Sequence, residues 1–137
     1  GESFAKALVR VAWSVLMLYA GIKHFVSPEV FLSIMPTCIP VELHMGCVLV
    51  SGACEILGAI GLLFPLQVVR ALASLGFIAL LIAVFPVHIH MLVNNVPFNG
   101  QVLPPYVHIG RIALQFCMIY LMVWLLRKPV NKRKQQQ

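Results

Sequence analysis

Aspartate is absent from this chain, and four glutamates, Glu2, Glu29, Glu42 and Glu55, supply all of its negative side-chain charge over 137 residues. Charged residues of both signs amount to 10% against 61% hydrophobic, which excludes a soluble domain of this length. The four cysteines, Cys38, Cys47, Cys54 and Cys117, form no Cys-x-x-Cys pair, and Cys47 and Cys54 stand seven apart on one helical face, as small apolar packing residues do. Cys38, beside a helix end, is the one thiol placed for redox work. No phosphate loop, nucleophile elbow or zinc-protease helix is found, so hydrolysis and phosphoryl transfer find no support.

What the sequence does contain is apolar helix. A hydrocarbon core of about 30 Å takes roughly 20 helical residues per crossing, so the chain holds four crossings and little else. Hydrophobic runs and breakers predict membrane helices over residues 4–22, 41–64, 69–94 and 106–126. A short helix over 28–35, begun by Ser27-Pro28-Glu29, is expected to lie in the membrane interface. No small-residue cleavage site follows the first run, which is therefore read as a structural helix and not as a secretion signal. The chain begins at Gly1 without methionine, which implies a trimmed or tagged terminus. The fold class expected is an all-α integral membrane four-helix bundle, one domain over residues 1–128, with a basic tail at 129–137 expected to be disordered.

Two ridges of small residues support close helix packing: Ser51, Gly52, Ala53, Gly58, Ala59 and Gly61 on the second crossing, and Ala73, Gly76, Ala79 and Ala83 on the third. Pro86 lacks the N–H that would bond the Ile82 carbonyl, so a kink with that carbonyl turned toward a donor is expected. Residues 95–105 read as an uncharged, turn-rich loop.

Charge is distributed unevenly. Of ten cations, eight (Lys6, Arg10, Arg70, Arg127, Lys128, Lys132, Arg133 and Lys134) fall at the end holding both termini, which the positive-inside rule assigns to the cytoplasm or an organellar matrix. That basic end suits an anionic membrane face better than nucleic acid. The opposite end gathers all five histidines, His24, His44, His88, His90 and His108, with Lys23 and Arg111.

Glu55 is the residue around which the rest is organised, because a carboxyl at bilayer depth must face protein and find a cation or donor. At 1.5 Å per residue it lies roughly 15 to 20 Å below the outer start of its helix, and Gln115 about 15 Å down the fourth. The expected constellation is a buried Glu55–Arg111 pair with Gln115 and His88 as further donors; it reads equally as a structural ion pair that sets helix register. His88 and His90 are about 200° apart around a helix and do not share a metal ion, so no metal site is expected. Haem ligation or a quinone headgroup at His88 or His24 needs only single donors, and plain interfacial hydrogen bonding accounts for the same histidines.

A set of motifs resembles the DoxX-like family of small membrane proteins. It comprises Gly21-Ile22-Lys23-His24-Phe25 with Pro28 and Phe31, then Ile34-Met35-Pro36, Ser51-Gly52-Ala53-Cys54-Glu55 and Leu62-Leu63-Phe64-Pro65. Phe85-Pro86-Val87-His88-Ile89-His90-Met91 and Arg111-Ile112-Ala113-Leu114-Gln115 complete it, in the family's order across nearly the whole chain. His88 departs from the pattern, standing where the family usually has asparagine. The resemblance implies a four-helix membrane protein in a redox setting, since some relatives serve thiosulfate:quinone oxidoreduction or membrane redox complexes. The expected function is a membrane subunit associated with a redox system, contacting quinone through Glu55, Arg111, Gln115, His88 and His24. A non-catalytic accessory subunit packed on a larger membrane complex is the alternative, and a carrier for a lipid or small apolar molecule the third reading. Expected partners are membrane lipids and protein subunits, not nucleic acid.

Overall fold

Prolines set the helix boundaries. In the computed structural model, which describes residues 2–98 and 100–128, α1 spans Phe4–Val26 and α2 Pro28–Leu32, followed by α3 at Val41–Leu63, α4 at Gln67–Asn94 and α5 at Pro105–Leu126. Ser3 caps α1 by accepting the Lys6 N–H at 3.3 Å. The residue before a proline is pushed out of the helical region, and accordingly Ser27 ends α1 and Phe64, extended before Pro65, ends α3. Asn95 ends α4 in the left-handed conformation (φ 49°), and its N–H closes on the Met91 carbonyl.

Two boundaries differ from the sequence reading by more than two residues. α1 continues to Val26, four residues past the expected end, because Gly21 is a packing glycine inside the helix and the first true breaker is Ser27-Pro28. α2 is only five residues long, and residues 33–35 continue as single turns ahead of Pro36. The expected basic tail at 129–137 and the Gly1 terminus lie outside the described residues.

α1, α3, α4 and α5 are long and apolar enough to cross a membrane, and the chain is an integral membrane protein of the expected all-α four-helix class. Around the bundle α1 packs on α3, α3 on α4 and α4 on α5, and α5 touches α1; α2 folds back against α1 and α3. α3 and α5 stand across one diagonal, with their backbones apart. The core is Trp13, Leu62, Phe77, Leu81 and Met122, where the Trp13 and Phe77 rings meet edge to face, 5.8 Å between centroids, across the other diagonal. Val15, Leu57, Leu72 and Leu114 stand on the outer surface, where lipid chains meet them.

The α3 small-residue ridge divides between two neighbours. Gly52 faces α1, whereas Gly58 lies under the Phe77 ring and Gly61 against Ala73 of α4. Gly76 on α4 has open space around it and lies along a shallow apolar groove of about 580 Å³ between α3 and α4, with Ala79 and Ala83.

Candidate functional site

Gly21 and Gly52 bring α1 and α3 into backbone contact. A methyl group on Gly21 would lie 2.8 Å from the Gly52 carbonyl oxygen and 2.7 Å from Ile56 Cγ1; one on Gly52 would lie 2.6 Å from His24 Cβ. Neither has room for a Cβ, and this close approach carries His24, one turn past Gly21, to Glu55, one turn past Gly52. His24 Nδ1 is 3.3 Å from Glu55 Oε2 and 2.7 Å from the Ala20 carbonyl. A carbonyl only accepts, so Nδ1 carries a proton and donates it there. The Phe31 ring from α2 stacks on the imidazole at 3.7 Å and 14°. His24 is 8% exposed, and Glu55 Oε2 is buried with no hydrogen-bond partner among the described residues.

A second group joins α4 to α5. Gln115, 1% exposed, donates through Nε2 to the Leu81 carbonyl. Pro86 leaves the Ile82 carbonyl without its helical donor, yet the carbonyl bonded from the neighbouring helix is Leu81's, one residue earlier. Around it His88 comes within electrostatic reach of Arg111, Gln115 and His108. His88 Nδ1 and His108 Nε2 are both buried with no partner among the described residues. The Arg111 guanidinium lies over the Phe98 ring at 4.7 Å and points Nη1 at Met91 Sδ, 3.9 Å away. Phe98 is held there by a tight turn in which it exchanges backbone hydrogen bonds with Gln101. His90 turns away and pairs with exposed Asn94.

The expected Glu55–Arg111 pair does not form. Glu55 is on α3 and Arg111 on α5, diagonal helices whose backbones stay apart, and the two side chains take other partners, Glu55 facing His24 and Arg111 facing Phe98 and Met91. His24 takes the place expected for Arg111, and Arg111 faces Phe98 and Met91. No hydrogen bond or ion pair among the described residues joins the α1–α3 group to the α4–α5 group.

Two participants escaped the sequence reading. His108, Arg111 and Gln115 follow an i, i+3, i+7 pattern, which places His108 on the same face; that signal was present in the sequence. Phe31 over His24 required the fold-back of α2 and had no such signal. The four cysteines are free and exposed, and no three histidine, cysteine or acidic side chains converge as metal ligands among the described residues.

Chemically, the α4–α5 group offers ring nitrogens and a guanidinium to an oxygen acceptor in an apolar setting, while the α1–α3 group offers a carboxyl beside an imidazole whose Nδ1 carries a proton. No curated protein and no solved structure matches this chain. Residues 13–127, nearly all of the bundle, match a family model described as a domain of unknown function, DUF8561, and the chain belongs to that family.

Proposed function

We propose that this protein is a small DoxX-like membrane subunit associated with a redox system, and that it holds a quinone headgroup against α4 and α5. The observation that carries this reading is the pair of buried, unpartnered ring nitrogens, His88 Nδ1 and His108 Nε2, beside Arg111. A buried polar atom without a partner costs about 1–3 kcal/mol, and a ligand carbonyl that accepts from it removes that cost. A quinone presents two carbonyl oxygens on a flat apolar ring, which suits those donors beside the Phe98 ring and Met91. Glu55 and His24, in the separate α1–α3 group, are a register-setting pair on this reading. The termini and the Arg70 connection face the cytoplasm or matrix, and the subunit works beside larger protein partners.

The test is extraction and mass spectrometry of lipids retained by the natively purified protein, wild type against His88→Leu with His108→Leu. Quinone present in the wild type and lost from a variant that keeps its melting temperature supports the assignment. Protein free of quinone that purifies only within a larger complex overturns it in favour of the accessory subunit. A reporter placed after Gln137 that is protected from reagents on the cytosolic side would overturn the orientation.

A further inference from the structure

The basic end of the bundle holds a cavity of about 420 Å³ whose wall, among the described residues, carries Lys6, Arg10, Arg70, Arg127 and Lys128 against one carboxylate, Glu2. It is built by residues far apart in the chain. Arg10 donates through Nη1 to the Leu62 carbonyl at 2.8 Å, and Arg70 through Nε to the Phe64 carbonyl at 2.6 Å. These carbonyls close the C-terminus of α3, where unpaired acceptors and the helix dipole favour cations. Both guanidiniums are therefore held from behind. Their remaining N–H groups turn on the same spot: Arg10 donates to the two Glu2 oxygens at 2.9 and 3.1 Å, and Arg70 Nη1 to Oε2 at 3.3 Å. On the opposite wall Lys6 donates to the Arg127 carbonyl and lies 5.6 Å from the Trp124 ring.

We infer that this cavity is a binding site for a phosphate group, with the Glu2 carboxylate as the resident anion it competes with. Two fixed guanidiniums converging on one anion match the forked geometry in which arginine binds phosphate oxygens. One carboxylate leaves most of the charge on the wall unanswered. The site opens at the polar end of a membrane bundle, where phospholipid headgroups are the most abundant phosphates and where basic pockets between helices hold anionic lipids. A free phosphate ion carries the same chemistry. The site is at the opposite end from the proposed quinone contact and is independent of it.

The experiment uses the full chain in phosphatidylcholine nanodiscs, titrated with phosphatidylglycerol and separately with inorganic phosphate. Native mass spectrometry counts bound lipid, and melting temperature reads both ligands. Arg10→Gln with Arg70→Gln is expected to weaken phosphatidylglycerol binding about tenfold or more, by loss of charge-assisted hydrogen bonds. Glu2→Gln removes the competing carboxylate and is expected to strengthen it severalfold. Lys23→Gln removes one cation at the other end and leaves it unchanged. If only the lipid responds to these changes, the occupant is a headgroup; if inorganic phosphate shows the same dependence, the occupant is the free ion. Because Arg10 and Arg70 also cap α3, a double variant that does not fold passes the decision to Lys128→Gln, expected to weaken binding, and Glu2→Gln. Equal binding by wild type, Glu2→Gln and Lys128→Gln, or weaker binding by Glu2→Gln, overturns the site.

Discussion

His24 Nδ1 stands 3.3 Å from Glu55 Oε2 because Gly21 and Gly52, one turn away on each helix, let the two backbones touch. The carboxyl that the membrane would otherwise penalise is thereby held between α1 and α3.

That contact makes the glycines testable. Gly52→Ala is expected to destabilise the protein by about 1–3 kcal/mol, the usual cost of overpacking, since its methyl would lie 2.6 Å from His24 Cβ. A methyl group on Gly46 or Gly76 would meet nothing within 4 Å, and alanine there should be neutral or gain about 0.5–1 kcal/mol. Melting in detergent compares the three variants. Equal losses at Gly52 and Gly76 would contradict the close crossing.

Coupling between Glu55 and its neighbours separates the observed pair from the expected one. Glu55→Gln and His24→Gln should interact by about 0.5–3 kcal/mol in a double-mutant cycle. Glu55→Gln and Arg111→Leu, on diagonal helices with no hydrogen bond or ion pair between the two side chains, should add within about 0.3–0.5 kcal/mol. A large Glu55–Arg111 coupling would mean that the bundle is arranged otherwise.

Gln115→Leu keeps the volume close but removes the donor to the Leu81 carbonyl. The expected loss is about 0.5–1.5 kcal/mol, the net worth of one hydrogen bond, because the Leu81 carbonyl keeps the donor of its own helix. Thermal melting checks it, and hydrogen exchange should rise around Pro86 more than in α3.

Acidification tests the contact between Glu2 and the two arginines. The hydrogen bond from Arg10 holds the Glu2 carboxyl below its ordinary value of 4.5, aided by the charges of Arg10, Arg70 and Lys6 against a smaller opposing effect of burial. A carboxyl whose folded pKa is depressed contributes stability that is present above 4.5 and lost as pH falls through the folded value. Wild type should lose melting temperature across that acid range more steeply than Glu2→Gln. Parallel curves would remove Glu2 from the stability of this end.

Local chemistry was enough to place the helices. Ser27-Pro28, Phe64-Pro65 and Pro104-Pro105 act on the residues beside them, and a run of apolar side chains long enough for a bilayer needs no partner to be recognised, so fold class and the number of crossings could be read directly. Gly21 shows where local reading fails. The same residue serves as a helix stop or as a contact point, and only the neighbour at Gly52 decides between them.

The candidate site was legible as a set of residues but not as a set of contacts. Helical rise put Glu55, Arg111 and Gln115 at overlapping depths, and His108 could have been added from its spacing to Arg111. Which of them touch depends on how the helices are ordered around the bundle and how each is rotated, and spacing along one helix carries no record of either. Packing gave Glu55 to His24, set Arg111 over Phe98 beside Met91, and drew Glu2, Arg10 and Arg70 onto the end of α3. The order of residues was sufficient for a four-helix membrane protein with a basic end and a histidine-rich end. The seating of α1 on α3 and of α4 on α5 settled which polar side chains meet, because in an apolar medium each is held by the helix it faces.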